Sequence, residues 1–420
     1  MTVQETAASR PFTWPKDDLT EVPYQVYIDD GVFEREQARV FHGPTWNFLG
    51  LEVEVPNPGD YVATYVGTTP VVLNRARDGA LHAFVNRCAH RGAQVVRTLR
   101  GNCKTHTCIY HQWSYDHEGR LVGVPYRRGI NGNGGFPEDF KPEEHGLQRL
   151  RVESYRGVVF GTFRHDMEPL VDFMEAPVRD RFDRLCGRPI RITGYQRQTI
   201  RGNWKLYMEN VKDAYHGSLL HAFNSSFGMF RSTQRGSSVM AKDGLHCLLT
   251  TFGQVGEQIG DAFKQVSTHK PKFTLEDPSV VRLFREHEDG MVTTILSMFP
   301  NLVLAQIGNH LGFRHIRPKN ANEFELYWIN FVYADEDETR VDARRRQGNL
   351  LGPAGYLTME DSEALEIAQQ CMLGEQGAGH AFISLGGRGF EDQQHLVTEV
   401  PIRGFWKGYC RIMGYEVGAA

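Results

Sequence analysis

Two short loops, Cys88-Ala-His90-Arg-Gly92 and Cys108-Ile-Tyr-His111-Gln-Trp113, each offer one thiolate and one imidazole, with seventeen residues between His90 and Cys108. Four such side chains suit either a closed zinc site or a two-iron cluster. Common zinc modules pair Cys with Cys and His with His across two knuckles. A [2Fe–2S] cluster with two thiolates on one iron and two imidazoles on the other takes the mixed order found here. The flanking segments YVATYVG (61–67), TPVVLNRA (69–76), LHAFVNR (81–87), HQWSYD (111–116), LVGVPY (121–126) and RGVVFGTF (156–163) are β-branched or aromatic, with Gly, Asp and Pro turns between them. They predict an antiparallel all-β domain over residues 46–165.

Upstream, DDGVFEREQARVFHG (29–43) has the apolar spacing of an amphipathic helix. It predicts an N-terminal helical segment, residues 1–45, packing with the later domain. Downstream, helical patterns at 167–185, 203–223 and 356–372 alternate with strand-like runs at 188–199, 246–253, 293–299, 301–308, 310–318 and 324–334. Residues 166–420 thus read as an antiparallel sheet flanked by helices, and the whole chain as α+β.

Composition narrows the function. The 420 residues carry 47 basic and 51 acidic side chains, a net charge of −4, with no basic block to track a phosphate backbone. Nucleic acid is not an expected partner. The first eighteen residues lack the basic start and apolar run of a secretory signal, and no stretch of about 18 apolar residues occurs. A soluble, cytoplasmic protein without a membrane segment is expected. Seven cysteines, an odd number, do not form a secreted disulfide framework. The glycines at 132, 134 and 135 do not fit the dinucleotide fingerprint. Cys103, His106 and His117 lie near the first constellation, but their spacing fits no second site, and each reads as an ordinary loop or turn residue.

A second constellation lies in NWKLYMENVKDAYHGSLLHAF (203–223). On a continuous helix Glu209, Asp213 and His216, at spacings of four and three, share one face. His221, five residues on, falls about 140° from His216, so both reach one ion only if the helix bends or ends. Gly217 permits such a distortion. A polar helix face or satisfied core histidines explain these residues as well.

The two constellations together resemble the Rieske non-haem iron aromatic-ring-hydroxylating oxygenases, large (alpha) subunit. CAHRG and CIYHQW are similar to the family's cluster boxes, and ENVKDAYHGSLLH to its iron motif. The likeness runs from VPYQVYIDDG to TEVPIRGFWKGY. It implies that Cys88 and Cys108 hold the inner iron of a Rieske [2Fe–2S] cluster, and His90 and His111 the outer one. It also implies that His216 and His221 bind a mononuclear Fe(II) and that Asp213 links this centre to the cluster of a neighbouring subunit. GPAGYLTMEDSEALEIAQQ, from Gly352, resembles the segment supplying the third ligand, placed at Asp361. Glu360 and Glu363 are chemically able to substitute, and Thr358 with Asp361 also fits a helix cap.

By this resemblance the chain is the terminal oxygenase of a multicomponent dioxygenase, forming a homotrimer or, with a small beta subunit, an α3β3 assembly. Without a flavin or nicotinamide fingerprint it needs a separate reductase, with or without a ferredoxin, to deliver electrons from NAD(P)H. Its alternatives are a monooxygenase or O-demethylase with the same centres, and an electron-transfer protein whose iron site is lost. The likeness is greatest to subunits acting on terephthalate, salicylate and anthranilate, which implies O2 and an aromatic carboxylate as substrates. An acidic substrate calls for a cation in an apolar pocket. Arg314 is the candidate, an ion pair with a structural acid its plain alternative. A second family Arg is replaced by His395-Leu396-Val397, which favours a monocarboxylate, although Arg388 could restore the clamp.

Overall fold

The computed structural model describes residues 14–15, 18–253, 272–374 and 377–417. The polar leader up to Thr13 lies outside them. Two compact units emerge: Phe41–Leu170, and a second built from the chain on either side of it.

The first unit is a seven-stranded sheet. Thr69–Arg75 lies among its inner strands, between Asp60–Val66 and Leu81–Val85, with Val71, Val72 and Leu73 fully buried. All the pairings are antiparallel. A smaller sheet of His106–Thr107, Ser114–Tyr115 and Leu121–Gly123 carries the second Cys–His loop. The buried Asn86 fastens the first loop, accepting from Val95 and Val96 N–H at 3.0 and 2.8 Å and donating to Val96 C=O at 2.8 Å.

The second unit is also built on a seven-stranded antiparallel sheet, ordered Ile190–Ile200, Glu323–Tyr333, His310–Asn320, Leu302–Ile307, Met291–Met298, His246–Phe252, Gly236–Ala241. The strands predicted between 188 and 334 all appear. Two-residue turns fix the register of its middle, where Ile307 pairs with His310 across Gly308-Asn309. Helices Leu170–Cys186, Glu338–Leu351, Tyr356–Gly374 and Val400–Met413 belong to this unit. The last buries Ile402, Phe405, Trp406, Tyr409 and Met413, the spacing of one helical face.

The N-terminal segment forms helix Asp30–Glu36, continued by one π turn, Gln37–Phe41. Its final carboxylate, Glu36, is fully buried and pairs with the equally buried Lys205 at 2.6 Å. Glu36 also accepts from Trp204 Nε1 at 2.8 Å and from Tyr409 Oη. A buried charge is tolerated when paired and hydrogen-bonded. This set secures helix Trp204–Asn210, which leads into the second constellation. Glu36→Ala strands the Lys205 ammonium, so stability is expected to fall by about 3–5 kcal/mol, seen as a lower urea midpoint.

Candidate metal centres and substrate pocket

The two Cys–His loops share one backbone design. Cys88 N–H donates to Ala93 C=O and Cys108 N–H to Trp113 C=O, both at 2.8 Å, while Gly92 and Gln112 N–H return to the cysteine carbonyls at 3.0 Å. Each loop turns through a positive φ at its fifth residue, 74° at Gly92 and 57° at Gln112. The thiols are buried and both imidazoles are half-buried. The rings of His90 and His111 lie 4.5 Å apart, and His90 stacks on Trp113 at 4.8 Å. Tyr115 Oη lies 3.2 Å from Cys88 Sγ and accepts from Ala89 N–H.

These four side chains fit a two-iron cluster. The buried Nδ1 of His90 has no protein hydrogen-bond partner, as a ligand nitrogen requires. Their donor atoms do not all lie within 4.8 Å of one another, so they do not converge on one zinc-sized ion.

The helical pattern of the second constellation is interrupted, as two histidines on one ion require. The helix ends at Asn210, and Asp213 turns the chain by accepting from Tyr215 N–H at 2.7 Å. A short 3-10 turn, His216–Ser218, and a helix from Ala222 follow. The break thus falls before Gly217. That glycine serves close packing instead, since a Cβ there would meet the Phe230 ring at 2.7 Å. The result brings His216 and His221 together, their rings 5.3 Å apart.

Helix Tyr356–Gly374 supplies the third group. Asp361 Oδ1 lies 3.3 Å from Nε2 of both His216 and His221, and Asn210 Nδ2 donates to it at 3.1 Å. Thr358 does not cap this helix: it lies inside it, and its hydroxyl donates to Leu351 C=O. Glu363 is exposed, whereas Glu360 accepts from His221 Nδ1 at 2.8 Å. Asp213 Oδ2 does the same for His216 at 3.0 Å. With both Nδ1 atoms engaged, each Nε2 is left for the centre.

Electrostatics agree with a cation site. Burial lowers the His216 pKa, but hydrogen bonds to Asp213 and Asp361 outweigh it and raise the value to about 10. His221 moves up for the same reason, through Asp361 and Glu360. Burial pushes Asp361 up, yet the two imidazoles hold its carboxyl well below the usual range. Protons shared in this way are what a bound dication replaces. Two imidazoles and one carboxylate are also the donor set of non-haem Fe(II).

Arg314 lines the same pocket as His216, His221 and Asp361, among apolar residues including Phe230, Leu249 and Ile295. It is 6% exposed, lies 4.2 Å over the Trp328 ring and donates to Tyr207 Oη at 2.9 Å. Among the described residues no carboxylate pairs with it. Arg388 is not a second clamp: its side chain is 81% exposed and pairs with Asp18. A further departure concerns Cys103, His106 and His117, whose donor atoms converge within 4.8 Å.

A Rieske [2Fe-2S] domain model matches residues 45–134, and the model "Ring hydroxylating alpha subunit (catalytic domain)" matches residues 179–414. The chain is 48% identical over 405 residues to the large subunit of anthranilate 1,2-dioxygenase from Burkholderia cepacia, covering 96% of this chain and 95% of that one. It is 38% identical over 408 residues to subunit alpha 2 of the terephthalate 1,2-dioxygenase terminal oxygenase component from Comamonas sp, covering 97% and 98%. Naphthalene 1,2-dioxygenase from Rhodococcus sp., solved with indole bound, shares the fold with a TM-score of 0.78 at 25% identity over 94% of each chain. The chain belongs to the ring-hydroxylating oxygenase alpha subunits, oxidoreductases that carry a Rieske cluster and a mononuclear Fe(II).

Asn210 was not legible as a site residue, and Glu360, named only as a substitute for the third ligand, instead orients His221. Glu360→Ala removes the acceptor that orients His221 and is expected to weaken Fe(II) affinity about 10- to 100-fold. Iron titration of the apo protein checks this, with circular dichroism confirming the fold.

Proposed function

We propose that this chain is the terminal oxygenase subunit that hydroxylates an aromatic monocarboxylate of the anthranilate or salicylate type. The observation that carries the reading is Arg314, a buried guanidinium on the wall of the iron pocket with no acid partner among the described residues. Such a cation favours an anionic group, and an apolar wall beside it suits a ring. With Arg388 at the surface, the described residues offer no second guanidinium for a dicarboxylate at this pocket. The likeness to anthranilate 1,2-dioxygenase supports the same substrate class.

In this reading His216, His221 and Asp361 hold Fe(II), while Cys88, Cys108, His90 and His111 hold the cluster. When bound, the iron supplies oxygen activation and the cluster supplies electrons. Arg314 binds the carboxylate and sets which ring edge faces the centre. The apolar residues around it exclude water. Asp213 holds the His216 Nδ1 proton and, with its side chain 19% exposed, offers a route toward the cluster of a neighbouring subunit. That role implies a ring of chains, which the family resemblance makes a homotrimer, with or without a small beta subunit. A separate reductase, with or without a ferredoxin, draws on NAD(P)H, which places the system in the cytoplasm. Among the described residues no helix is long and apolar enough to cross a membrane.

Arg314→Met is expected to lower kcat/KM for the acid by about 10- to 150-fold, the equivalent of about 1.5–3 kcal/mol for a charged hydrogen bond, while sparing a neutral arene. Product assay with reductase and NADH across a panel of benzoates measures both. An equal loss on acid and neutral substrates would remove the clamp assignment. Asp213→Ala, loaded with excess Fe(II) because His216 loses its Nδ1 acceptor, should regain both metal centres, counted by iron analysis and EPR, yet lose turnover.

A further inference from the structure

Among the described residues, one further cluster of ligating side chains lies in the Rieske unit. Cys103 follows strand Arg100–Asn102, His106 begins strand His106–Thr107, and His117 sits in the turn after Ser114–Tyr115. Their donor atoms all lie within 4.8 Å of one another. Cys103 Sγ is 3.4 Å from His106 Nδ1. In a tetrahedral zinc site, metal–sulfur and metal–nitrogen bonds of about 2.3 and 2.0 Å set a sulfur–nitrogen separation of about 3.5 Å. His106 and His117 are 2% and 6% exposed, and Cys103 is half-buried, which leaves an approach. His106 Nε2 is buried without a hydrogen-bond partner, and His117 Nε2 meets only the Cys103 carbonyl, at 2.9 Å. His106 faces Cys103 through Nδ1, so Nδ1 is its ligand atom and the orphaned Nε2 is not.

We propose that Cys103, His106 and His117 form a third metal site, for one thiophilic divalent ion of the Zn2+ class, with a fourth position open to water. One thiolate and two imidazoles match the ligand preferences of such ions and not those of Mg2+ or Ca2+. Binding forms one metal–sulfur and two metal–nitrogen bonds and sends the Cys103 thiol proton to solvent. The ion ties the end of one strand and a neighbouring turn to the strand that leads into Cys108. The site is separate from the cluster ligands and does not depend on which arene the enzyme takes.

The test uses the holoprotein with both iron centres filled and its Rieske EPR signal counted. Zn2+ is titrated with removal of loosely bound ion and metal analysis, and Co2+ is titrated in parallel. Cobalt bound through Cys103 gives a thiolate-to-cobalt absorption band, which cobalt at the nitrogen and oxygen donors of His216, His221 and Asp361 cannot give. The expected result is one extra zinc per chain and this band in the wild type, both lost in Cys103→Ser and His117→Gln while the Rieske signal persists. No extra zinc, or zinc and band unchanged in Cys103→Ser, overturns the site. Cys103→Ser, which keeps the side-chain shape, carries the test if His117→Gln fails to fold.

Discussion

Asp361 is a buried carboxylate shared by two imidazoles and one amide, and much of the catalytic unit is arranged to make that sharing possible. Burying a carboxylate alone costs far more than the chain could tolerate. Its partners come from two segments about 150 residues earlier in the chain. The helix that begins at Trp204 must stop at Asn210 so that the next residues can curl back. The same helix is held at its start by the buried Lys205–Glu36 pair and by Asn203, whose amide donates to Tyr27 and Ala321 carbonyls at 2.8 Å. The N-terminal segment is therefore part of the support of the iron site, although it contributes no ligand.

Charge is distributed unevenly across the pocket. Asp361, Asp213 and Glu360 surround the two histidines, so added positive charge there is compensated. Arg314 faces the same space from the sheet, stacked on Trp328 and bound to the neutral Tyr207 hydroxyl. Its charge is not absorbed by the acids around the histidines, because none is within ion-pairing distance of it among the described residues. The pocket thus separates a cation-binding end from an anion-binding one. Under the proposed substrate assignment, a rigid aromatic acid spans that separation and presents its ring edge at a fixed offset from its carboxylate.

Much of the fold was legible because the signals were local. Strands such as His246–Phe252 and Glu323–Tyr333 are runs of apolar and β-branched residues ended by turn chemistry, and both cluster loops fit within six residues. The iron site was legible only through family resemblance. The spacing of His216 and His221 required a break in the helical pattern of 203–223, but its place, at Asn210 rather than Gly217, was not legible, because it is followed by the local Asp213–Tyr215 hydrogen bond. Cys103, His106 and His117 were passed over because their spacing of three and eleven matches no module. They meet through sheet pairing, with His106 placed opposite Tyr115 two residues before His117, and spacing along the chain does not report such a meeting.

The two histidines of the iron site are fixed by different acids, and the difference has a physical consequence. Glu360 is adjacent to Asp361 on the same helix, so the acid that orients His221 and the third donor move as one body. Asp213 stands on the irregular segment that carries His216, three residues away, and no helix couples it to Asp361. His221 is 5% exposed in its side chain and His216 is 22% exposed. The more buried histidine is thus oriented from the helix that also carries Asp361, and the more accessible one from its own segment. The two orienting acids are similarly accessible, 19% at Asp213 and 24% at Glu360, so the asymmetry lies in the histidines and in which segment carries each acid.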